Sequence, residues 1–448
     1  MGSEMPNVLY VFGDQWRAQA TGYAGDPNVR TPNIDALAAE SISFTNAVMG
    51  CPVCSPARAC MVTGRYPLGH GVFMNDLYLK HKAVSIADAF GGAGYDTAYI
   101  GKWHLDGHGR STFIPQERRQ GFGFWRAMEC THDYNESCYY ADGPSRLQWD
   151  GYDAIAQTEE ARRYLEEHGS ERPFLLFLSW GPPHSPYDTA PEEYRAMYQP
   201  DSLLLRPNVP PECETLARER LAGYYAHITA MDYCIGVLDQ TLKANDLDRD
   251  TILVFTSDHG DMLGSHGCWG KQVPYDESIL APFLLRYPAE FGTKARRIDA
   301  PINTPDIMPT LLSLCGTEIP ATVEGSDYTP FIRGEKDPGH VAALIASYAP
   351  LGDWIKKKGA VEYRGVRTER YTYTRTLRGP WLLFDNEEDP CQMSNLCGQP
   401  ACARVQRRLE RALGQRLKET NDAFLPSESL IKEYGIRVDE TGTVPYTD

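Results

Sequence analysis

The sequence predicts an α/β fold: a mostly parallel sheet sandwiched by helices, with a smaller α+β subdomain at the carboxyl end. Short apolar runs alternate with amphipathic stretches, the pattern of repeated strand–helix–strand units. The runs lack polar alternation, as expected of parallel strands that are covered on both faces. Four runs are predicted to be such strands, at residues 7–12, 97–100, 174–178 and 251–255.

One long amphipathic helix is predicted to lead into the strand at 251–255. Apolar residues recur there at intervals of three and four positions, which aligns them on one face of a helix. These residues are Ile228, Met231, Ile235, Leu238 and Leu242. A shorter helix is predicted over 306–314, because Gly316 follows it as a typical helix end.

The composition changes after about Pro330, where the segment FIRGEKDPGH is polar and rich in turn residues. This segment is predicted to be a linker. Beyond it, residues 363–375 alternate like an exposed antiparallel strand pair, and residues 405–417 form a charged amphipathic helix. We therefore predict a large α/β domain over 1–335 and a C-terminal subdomain over 336–448, with a small antiparallel sheet and a helix.

The 448 residues carry a formal charge of −16, from 44 lysines and arginines against 60 aspartates and glutamates. A hydrophobic fraction of 42% with 23% charged residues is typical of a packed globule and excludes a disordered or collagen-like chain. The acidic balance disfavours nucleic-acid binding, which needs a basic face. An anionic substrate would therefore require a local cationic pocket.

The chain shows no pattern of membrane insertion or export. No window approaches ~18 consecutive apolar residues, so no membrane span is expected. The amino-terminal sequence MGSEMPNVLYVFGD lacks the basic and apolar regions of a signal peptide. We expect a cytoplasmic protein as the sequence stands, and a periplasmic or secreted one if a signal peptide has been removed.

Twelve cysteines at irregular spacings are too few for a disulfide-based fold, so most are predicted to be buried thiols. Cys51 and Cys54 form a C-x-x-C pair, typical of a redox pair or half a zinc site, but no second C-x-x-C or H-x-x-x-H completes a zinc tetrahedron. Cys54 also begins a helix-compatible stretch four residues before Arg58, a setting that lowers the pKa of a thiol. The alternative is a buried structural cysteine.

Polar residues follow directly after the predicted strands, where open α/β sheets bind their ligands. They are Asp14, Gln15, Lys102, His184, Asp258 and His259. The two adjacent pairs, 14–15 and 258–259, offer carboxylate and amide oxygens that suit a hard divalent cation. The alternative is that each pair is an ordinary helix cap or turn.

The string C-x-P-x-R formed by Cys54, Pro56 and Arg58 resembles the signature of the type I sulfatases, in which it directs oxidation of the cysteine to formylglycine. The run GKWHL at 101–105 is similar to a second sulfatase element. Further similar segments are PNVLYVFGDQ, PHSP around His184, TSDHGDMLGSHG, and WGKQVPYDES with Lys271. The tail WLLFDNEEDPCQMSNL is similar to the carboxyl-terminal segment of the family, so the resemblance covers nearly the whole chain and implies the alkaline phosphatase-like fold.

The resemblance also implies a metal site. By family position, the ligands are Asp14, Gln15, Asp258, His259 and the modified Cys54. Many relatives have a second aspartate where this chain has Gln15, and Asn or Gln where it has His259. We expect Ca²⁺. One fewer carboxylate makes the site softer and less anionic, which leaves Mn²⁺ or Mg²⁺ as alternatives.

The implied activity is hydrolysis of a sulfate ester, with the gem-diol of formylglycine as nucleophile. Arg58, Lys102 and Lys271 would supply the cationic pocket. His184, with Lys271, would protonate the leaving alcohol, and His104 would take a proton from the second hydroxyl as sulfate leaves. Asn75 either donates a hydrogen bond to a sulfate oxygen or caps a turn. The implied partners are a sulfated small molecule or glycan and a formylglycine-generating maturation enzyme.

Two other functions fit parts of the pattern. A phosphonate monoester or phosphodiester hydrolase of the same superfamily shares C-x-P-x-R and the Asp-Gln and Asp-His pairs, but tends to lack the GKWH run that contains Lys102 and His104. A catalytically silent binding protein would result if Cys54 were never oxidised.

The segments 77–81 and 122–149 are rich in aromatic and polar side chains. These are Tyr78, Trp125, Arg126, His132, Tyr139, Tyr140, Arg146 and Trp149. Aromatic faces beside arginines suit stacking on a sugar ring that carries anionic groups, which predicts a sulfated carbohydrate rather than a simple aryl ester. The alternative is that the aromatic residues only pack these segments.

Overall fold

Eight strands of the described chain form one mixed sheet, as the computed structural model shows for residues 5–169, 171–335, 342–351 and 359–446. The strands are β1 Asn7–Asp14, β2 Ile42–Phe44, β3 Ala47–Val48, β4 Asp96–Lys102, β5 Phe124–Met128, β6 Cys138–Tyr139, β7 Leu147–Gln148, β8 Phe174–Pro183, β9 Thr251–Ser257, β10 Leu284–Arg286, β11 Arg296–Ile298, β12 Ile302–Asn303, β13 Ala343–Ser347, β14 Tyr363–Arg367, β15 Tyr371–Thr376 and β16 Gly379–Asp385.

The helices of the described residues range from one turn to 31 residues. They are α1 Pro32–Ala39, α2 Cys54–Thr63, α3 Pro67–His70, α4 Ile86–Gly92, α5 Asp153–Glu167, α6 Glu192–Arg195, α7 Glu214–Ala244, α8 Asp276–Ile279, α9 Pro288–Phe291, α10 Ile307–Leu314, α11 Thr329–Ile332, α12 Ala403–Glu419 and α13 Ser427–Glu433. None of these helices is long and apolar enough to cross a membrane.

The large sheet has the strand order β11-β2-β10-β9-β1-β8-β4-β5. Strand β10 pairs antiparallel with both of its neighbours, and all other pairs in this sheet are parallel. The four strands predicted from apolar runs are the adjacent central ones, β9, β1, β8 and β4. The predicted α/β class with a mostly parallel sheet is therefore confirmed.

Both faces of the central strands are buried, which explains why their sequences do not alternate. In β1, Val8, Tyr10 and Phe12 belong to one hydrophobic cluster, with side chains of α2, α4 and α10. The intervening Leu9 and Val11 belong to a second cluster, with side chains of α5 and α7. Each fully buried aliphatic or aromatic side chain stabilises the fold by about 1.5–3 kcal/mol, so this strand anchors both layers.

The C-terminal part forms a small antiparallel sheet, β13-β14-β15-β16, with α12 packed on it through Leu409 and Leu413. The predicted antiparallel strand pair and helix are confirmed, but the pair is not exposed as predicted, because β14 is buried along its whole length. Residues 336–341 lie outside the described chain. The domain boundary predicted between residues 335 and 336 therefore stays a prediction. Helix α11 contains the first two residues of the predicted linker.

The central strands place their carboxyl ends at one edge of the sheet. Asp14 ends β1, Lys102 ends β4, and His184 and Asp258 follow β8 and β9 directly. Because these four strands are parallel neighbours, residues far apart in the chain meet at this edge.

Candidate active site

Four buried side chains converge at the carboxyl edge of the sheet. Asp14, Cys54, Asp258 and His259 each offer a ligand atom, and these atoms lie within 4.8 Å of one another. Cys54 Sγ lies 3.3 Å from His259 Nε2 and 3.6 Å from Asp14 Oδ1. The structure thus brings together the two strand-end pairs and the cysteine of C-x-P-x-R, and their roles stay predictions.

Helix α2 begins at Cys54, so the thiol lies at the positive end of the helix dipole. Burial and the carboxylate of Asp14 oppose ionisation, but Lys271, Lys102 and His259 hold the pKa of Cys54 well below its usual value. Lys271 Nζ lies 3.0 Å from the sulfur. Residue 54 therefore lies in a pocket that favours negative charge, inside a protein whose net charge is −16.

The two cysteines of the C-x-x-C motif occupy different environments. Cys51 packs in a hydrophobic cluster with Val53 and Phe73, and burial raises its pKa to about 12. Cys54 contacts charged side chains instead. Neither the redox pair nor the half zinc site fits this arrangement. All twelve cysteines are free thiols and seven are buried, as expected for most of them.

Arg58 lies one turn after Cys54 on α2 and joins two carboxylates. Its Nε donates to Asp258 Oδ2 at 3.0 Å, and its Nη2 donates to Asp14 Oδ2 at 3.2 Å. Nη1 donates to the carbonyl of Lys102 and to Ser179 Oγ. Both ion pairs are buried, so losing either partner would leave an uncompensated charge. Arg58 thus fixes the carboxylates of β1 and of the loop after β9 relative to each other.

The donor set fits a divalent cation. Burial and the charge of Asp14 raise the pKa of Asp258, a repulsion that a bound cation would relieve. Gln15 Oε1 is buried without a hydrogen-bond partner among the described residues, while its Nε2 donates to Asp261 Oδ2 at 2.6 Å. The amide oxygen of Gln15 therefore keeps its lone pairs for a ligand that is not part of the described chain. Sequence reasoning missed Asp261, although it lies three residues after Asp258.

His104 forms a buried pair with Asp76, a residue that sequence reasoning also missed. His104 Nε2 lies 2.9 Å from Asp76 Oδ1. Burial lowers the pKa of His104, but the charge of Cys130 and hydrogen bonds with Asp76 and Cys54 raise it to about 10. The available signal was the position of Asp76 directly after Asn75 in the segment GVFMND.

His184 follows β8 and stacks on His132, with ring centroids 4.6 Å apart and planes inclined by 4°. Its Nδ1 lies 2.9 Å from the Ser185 carbonyl oxygen. Burial and the nearby ammonium of Lys271 lower the pKa of His184 well below its usual value. An anionic substrate beside it would oppose this effect.

A family model described as Sulfatase matches residues 6–317, which is more than half of the chain. The chain belongs to the sulfatase family. A second model, described as the C-terminal part of N-sulphoglucosamine sulphohydrolase, matches residues 264–419. This sulfatase is 46% identical to the ulvan-active sulfatase of Formosa agariphila over 433 residues, covering 96% of this chain and 84% of the relative. It is an enzyme that hydrolyses sulfuric esters, as expected.

Solved structures confirm the alkaline phosphatase-like fold of this sulfatase. The sulfatase yidJ of Bacteroides fragilis superposes with a TM-score of 0.86 at 32% identity, over 95% of this chain and 98% of that one. The phosphonate monoester hydrolase of Agrobacterium radiobacter superposes with a TM-score of 0.75 at 23% identity, over 98% of this chain and 99% of that one. At that identity the second likeness shows the fold alone.

Asn75 caps the helix that carries Cys54 in this sulfatase. Its Oδ1 accepts a hydrogen bond from the backbone N–H of Ser55 at 2.9 Å, in the first turn of α2. This contact agrees with the capping alternative. No acceptor among the described residues engages the amide nitrogen of Asn75. Its binding of a sulfate oxygen stays a prediction.

Most of the aromatic side chains expected to bind a sugar pack inside the sulfatase. Trp125 is 0% exposed and stacks with Tyr99, because it faces the core from β5. Trp149 is buried and stacks on Tyr139 with ring centroids 3.8 Å apart, and Tyr140 is also buried. The alternative that these rings pack their segments is correct for all four.

The remaining members of that set have other surroundings. Arg126 pairs with Glu160 on α5 at 3.1 Å. Arg146 is exposed, and Tyr78 packs edge-on against His108. His132, through its stack on His184, is the member of the set with direct contact to a predicted catalytic side chain.

Proposed function

We propose that this sulfatase hydrolyses a sulfate ester on a carbohydrate, with hydrated formylglycine made from Cys54 as nucleophile. The observation that carries the proposal is the position of Cys54: it begins α2, contacts His259 and Lys271, and shares a 4.8 Å cluster with Asp14 and Asp258. The relative named for activity on ulvan supports a glycan substrate.

We infer that Asp14, Gln15, Asp258, His259 and residue 54 hold one divalent cation. The unpaired Gln15 Oε1 and the two carboxylates are hard oxygen donors, which favours Ca²⁺, with Mn²⁺ or Mg²⁺ as alternatives. When bound, such an ion offsets the negative charge of the carboxylates and of the sulfate group. Asp261 holds the Gln15 amide in the required orientation.

Hydrated formylglycine supplies two hydroxyl groups on one carbon, one to attack sulfur and one whose deprotonation releases sulfate. A serine or an unmodified cysteine offers no second hydroxyl. Because Cys54 is 1% exposed, we infer that the maturation enzyme acts before the site closes around this residue.

The surrounding side chains would handle charge and protons. Lys102 and Lys271 flank residue 54 and would bind sulfate oxygens, where preorganised cations stabilise the charge of the transition state. His184, with Lys271, would deliver a proton to the leaving oxygen, and His104 would accept a proton from residue 54. Arg58 keeps Asp14 and Asp258 in place during these transfers.

The proposal is tested by mass spectrometry of the peptide that contains residue 54, together with turnover of a panel of sulfated oligosaccharides. Formylglycine makes that peptide about 18 Da lighter than the cysteine form. We expect this mass in active preparations and none in Cys54→Ser or Cys54→Ala, which should be inactive. A preference of several orders of magnitude for an aryl phosphonate monoester over every sulfate ester would instead identify the alternative hydrolase.

A further inference from the structure

Helix α12 carries a stripe of exposed basic side chains on the face that points to solvent. At 3.6 residues per turn, these side chains lie within about 100° of the helix circumference. The opposite face holds Leu409 and Leu413, which are buried against the small antiparallel sheet. The basic stripe consists of Arg404, Arg407, Arg408, Arg411 and Lys418.

The positive charges of the basic stripe are not neutralised by the part of the chain that the structure describes. None of the five side chains forms an ion pair or a hydrogen bond with a described residue. Arg408 lies over the ring of Tyr371, 5.5 Å from its centroid, a contact that leaves the charge unpaired. The stripe is therefore a positive surface on a protein whose net charge is −16.

The two glutamates of α12 lie outside the arc of the stripe and bind other residues. Glu410 accepts hydrogen bonds from Arg375 and from the hydroxyl of Tyr373, both on β15. Glu419 accepts a hydrogen bond from Arg416 at 2.7 Å. An anionic chain that lies along the exposed face of α12 would therefore meet positive charge from this helix and no carboxylate.

The length of the stripe suits a polymer better than a single small anion. Arg404, Arg411 and Lys418 follow one another at intervals of seven residues, which places them about 10 Å apart along the helix axis. Arg407 and Arg408 lie within the first interval. The potentials of these charges add along the helix. An extended chain with anionic groups along its length can contact several of them at once.

The buried face of α12 disfavours a lipid surface as the partner. An amphipathic helix binds a membrane by inserting its apolar face, but here that face is covered by the small sheet. A sulfated glycan is the polyanion that the active site itself requires under the proposed function. Guanidinium groups bind the oxygens of sulfate and carboxylate groups through paired hydrogen bonds, which suits a stripe made mostly of arginine.

One end of α12 lies at the far end of the helix that begins at Cys54. Helix α2 has ten residues and a length of about 15 Å, and Tyr66 follows its last turn. The guanidinium of Arg416 donates a hydrogen bond to the hydroxyl of Tyr66. This end of α12 is thus separated from residue 54 by the length of α2, a distance that a polymer can span and a small ester cannot.

We propose that the basic stripe is a second binding site, for a sulfated polysaccharide, which tethers the polymer that is hydrolysed at residue 54. The inference rests on the proposed function for the class of polymer. A tethered chain presents its sulfate groups to the active site at a raised effective concentration, without any contact between the stripe and the reacting atoms.

Binding is tested by calorimetric titration with dextran sulfate, with unsulfated dextran as the blank. The triple variant Arg404→Ala/Arg411→Ala/Lys418→Ala keeps the helix, because alanine has the highest helix propensity. We expect its affinity for dextran sulfate to fall about 10- to 100-fold, the sum of three exposed ionic contacts. The wild type should not bind dextran.

The matched control removes the same number of lysines and arginines elsewhere, in Arg249→Ala/Lys294→Ala/Arg437→Ala. These three side chains are exposed and form no ion pair with a described residue. The control variant should bind dextran sulfate within about twofold of the wild type, since distant surface charges are screened by salt. Equal losses in the two triple variants, with unfolding temperatures that match the wild type, would overturn the proposal.

Other polyanions are tested with the same two variants. Double-stranded DNA and phosphatidylserine vesicles should bind the wild type more weakly than dextran sulfate does. Tighter binding of DNA or of the vesicles, lost in the stripe variant and kept in the control, would overturn the assignment of the stripe to a glycan.

Kinetics of the matured enzyme test the tethering. On a polymeric sulfated substrate, the stripe variant should raise KM about 10-fold and leave kcat unchanged. On a sulfated disaccharide, which cannot reach the stripe from residue 54, both constants should equal those of the wild type. An unchanged KM on the polymer would contradict tethering.

The binding measurements need no turnover and therefore separate this inference from the proposed function. A wild-type enzyme without activity on any sulfate ester would contradict the proposed function, while titration with dextran sulfate would still decide whether the stripe binds a sulfated polysaccharide.

Discussion

The ammonium group of Lys271 lies 3.0 Å from the sulfur of Cys54, although 217 positions separate the two residues. Lys102 reaches the same cluster from the end of β4 by pairing with Asp14. These contacts create a local cationic pocket in an acidic protein, as an anionic substrate requires.

Replacing either lysine should slow sulfate hydrolysis without unfolding the protein. We expect Lys102→Ala and Lys271→Ala each to lower kcat by at least about 100-fold, because each removes a preorganised charge from the developing transition state. Steady-state kinetics on a sulfated substrate measures this. Lys243→Ala is the control, since Lys243 is half exposed in a surface pair with Asp239. Near-normal rates for Lys102→Ala would show that its side chain does not touch the reacting group.

Cation binding should depend on Asp261, which does not itself belong to the proposed ligands. Asp261 Oδ2 accepts from Gln15 Nε2 and from the hydroxyl of Tyr187, so Asp261→Asn should allow the amide of Gln15 to reorient. We expect the affinity for Ca²⁺ to fall about 10- to 100-fold, as for other outer-shell partners. Calorimetric titration of chelator-treated protein measures it. Wild-type affinity in this variant would mean that Gln15 Oε1 is not a ligand.

Arg364 and Asp422 should be among the most sensitive residues for stability. The pair links β14 to the chain after α12, and both side chains are fully buried, with exposures of 0% and 1%. Asp422→Ala leaves the guanidinium uncompensated and should lower the free energy of unfolding by about 3–5 kcal/mol. Glu166→Ala, which breaks an exposed pair with Arg162, should change it by about 0–1 kcal/mol. Chemical denaturation of both variants checks the contrast.

Asp153 should make stability depend on pH. It begins α5, and burial raises its pKa to about 8 in spite of hydrogen bonds from Ser137 and the backbone of Ala154. An unfolded aspartate ionises near pH 4, so between about pH 4 and pH 8 the folded state holds a proton that the unfolded state has lost. The contribution of this residue to stability therefore falls as pH rises through that window.

The variant Asp153→Asn cannot ionise and removes this dependence. We expect its unfolding temperature, relative to the wild type, to rise steadily from about pH 5 to about pH 8. A thermal unfolding series at constant ionic strength measures the difference. A constant difference across this range would contradict a raised pKa for Asp153.

Much of the fold was predictable because its signals are local. The runs at 7–12 and 251–255 show no alternation of apolar and polar residues because both faces of β1 and β9 are covered. Each residue of such a strand is buried, so the pattern is visible within the short segment itself. The charged residues Asp14 and Asp258 directly follow these runs. Parallel strands then suffice to predict that the two carboxylates share an edge.

The prediction that Trp125 and Trp149 bind a sugar was wrong for a related reason. Trp125 and Trp149 lie in a segment rich in polar side chains, but β5 turns Trp125 into the core and Tyr139 covers Trp149. Which face of a short strand is buried depends on what packs against it. That information is not contained in the segment itself.

By itself, the sequence determined the α/β class, the strands that end at the active site and the identity of the residues with reactive side chains. Only the tertiary structure decided that Lys271 meets Cys54, that Asp261 orients Gln15 and that Asp76 binds both His104 and Tyr446. The reason is physical: periodicity and composition record the surroundings of neighbouring residues. Distances between residues hundreds of positions apart depend on the order of the strands and the path of the loops that join them.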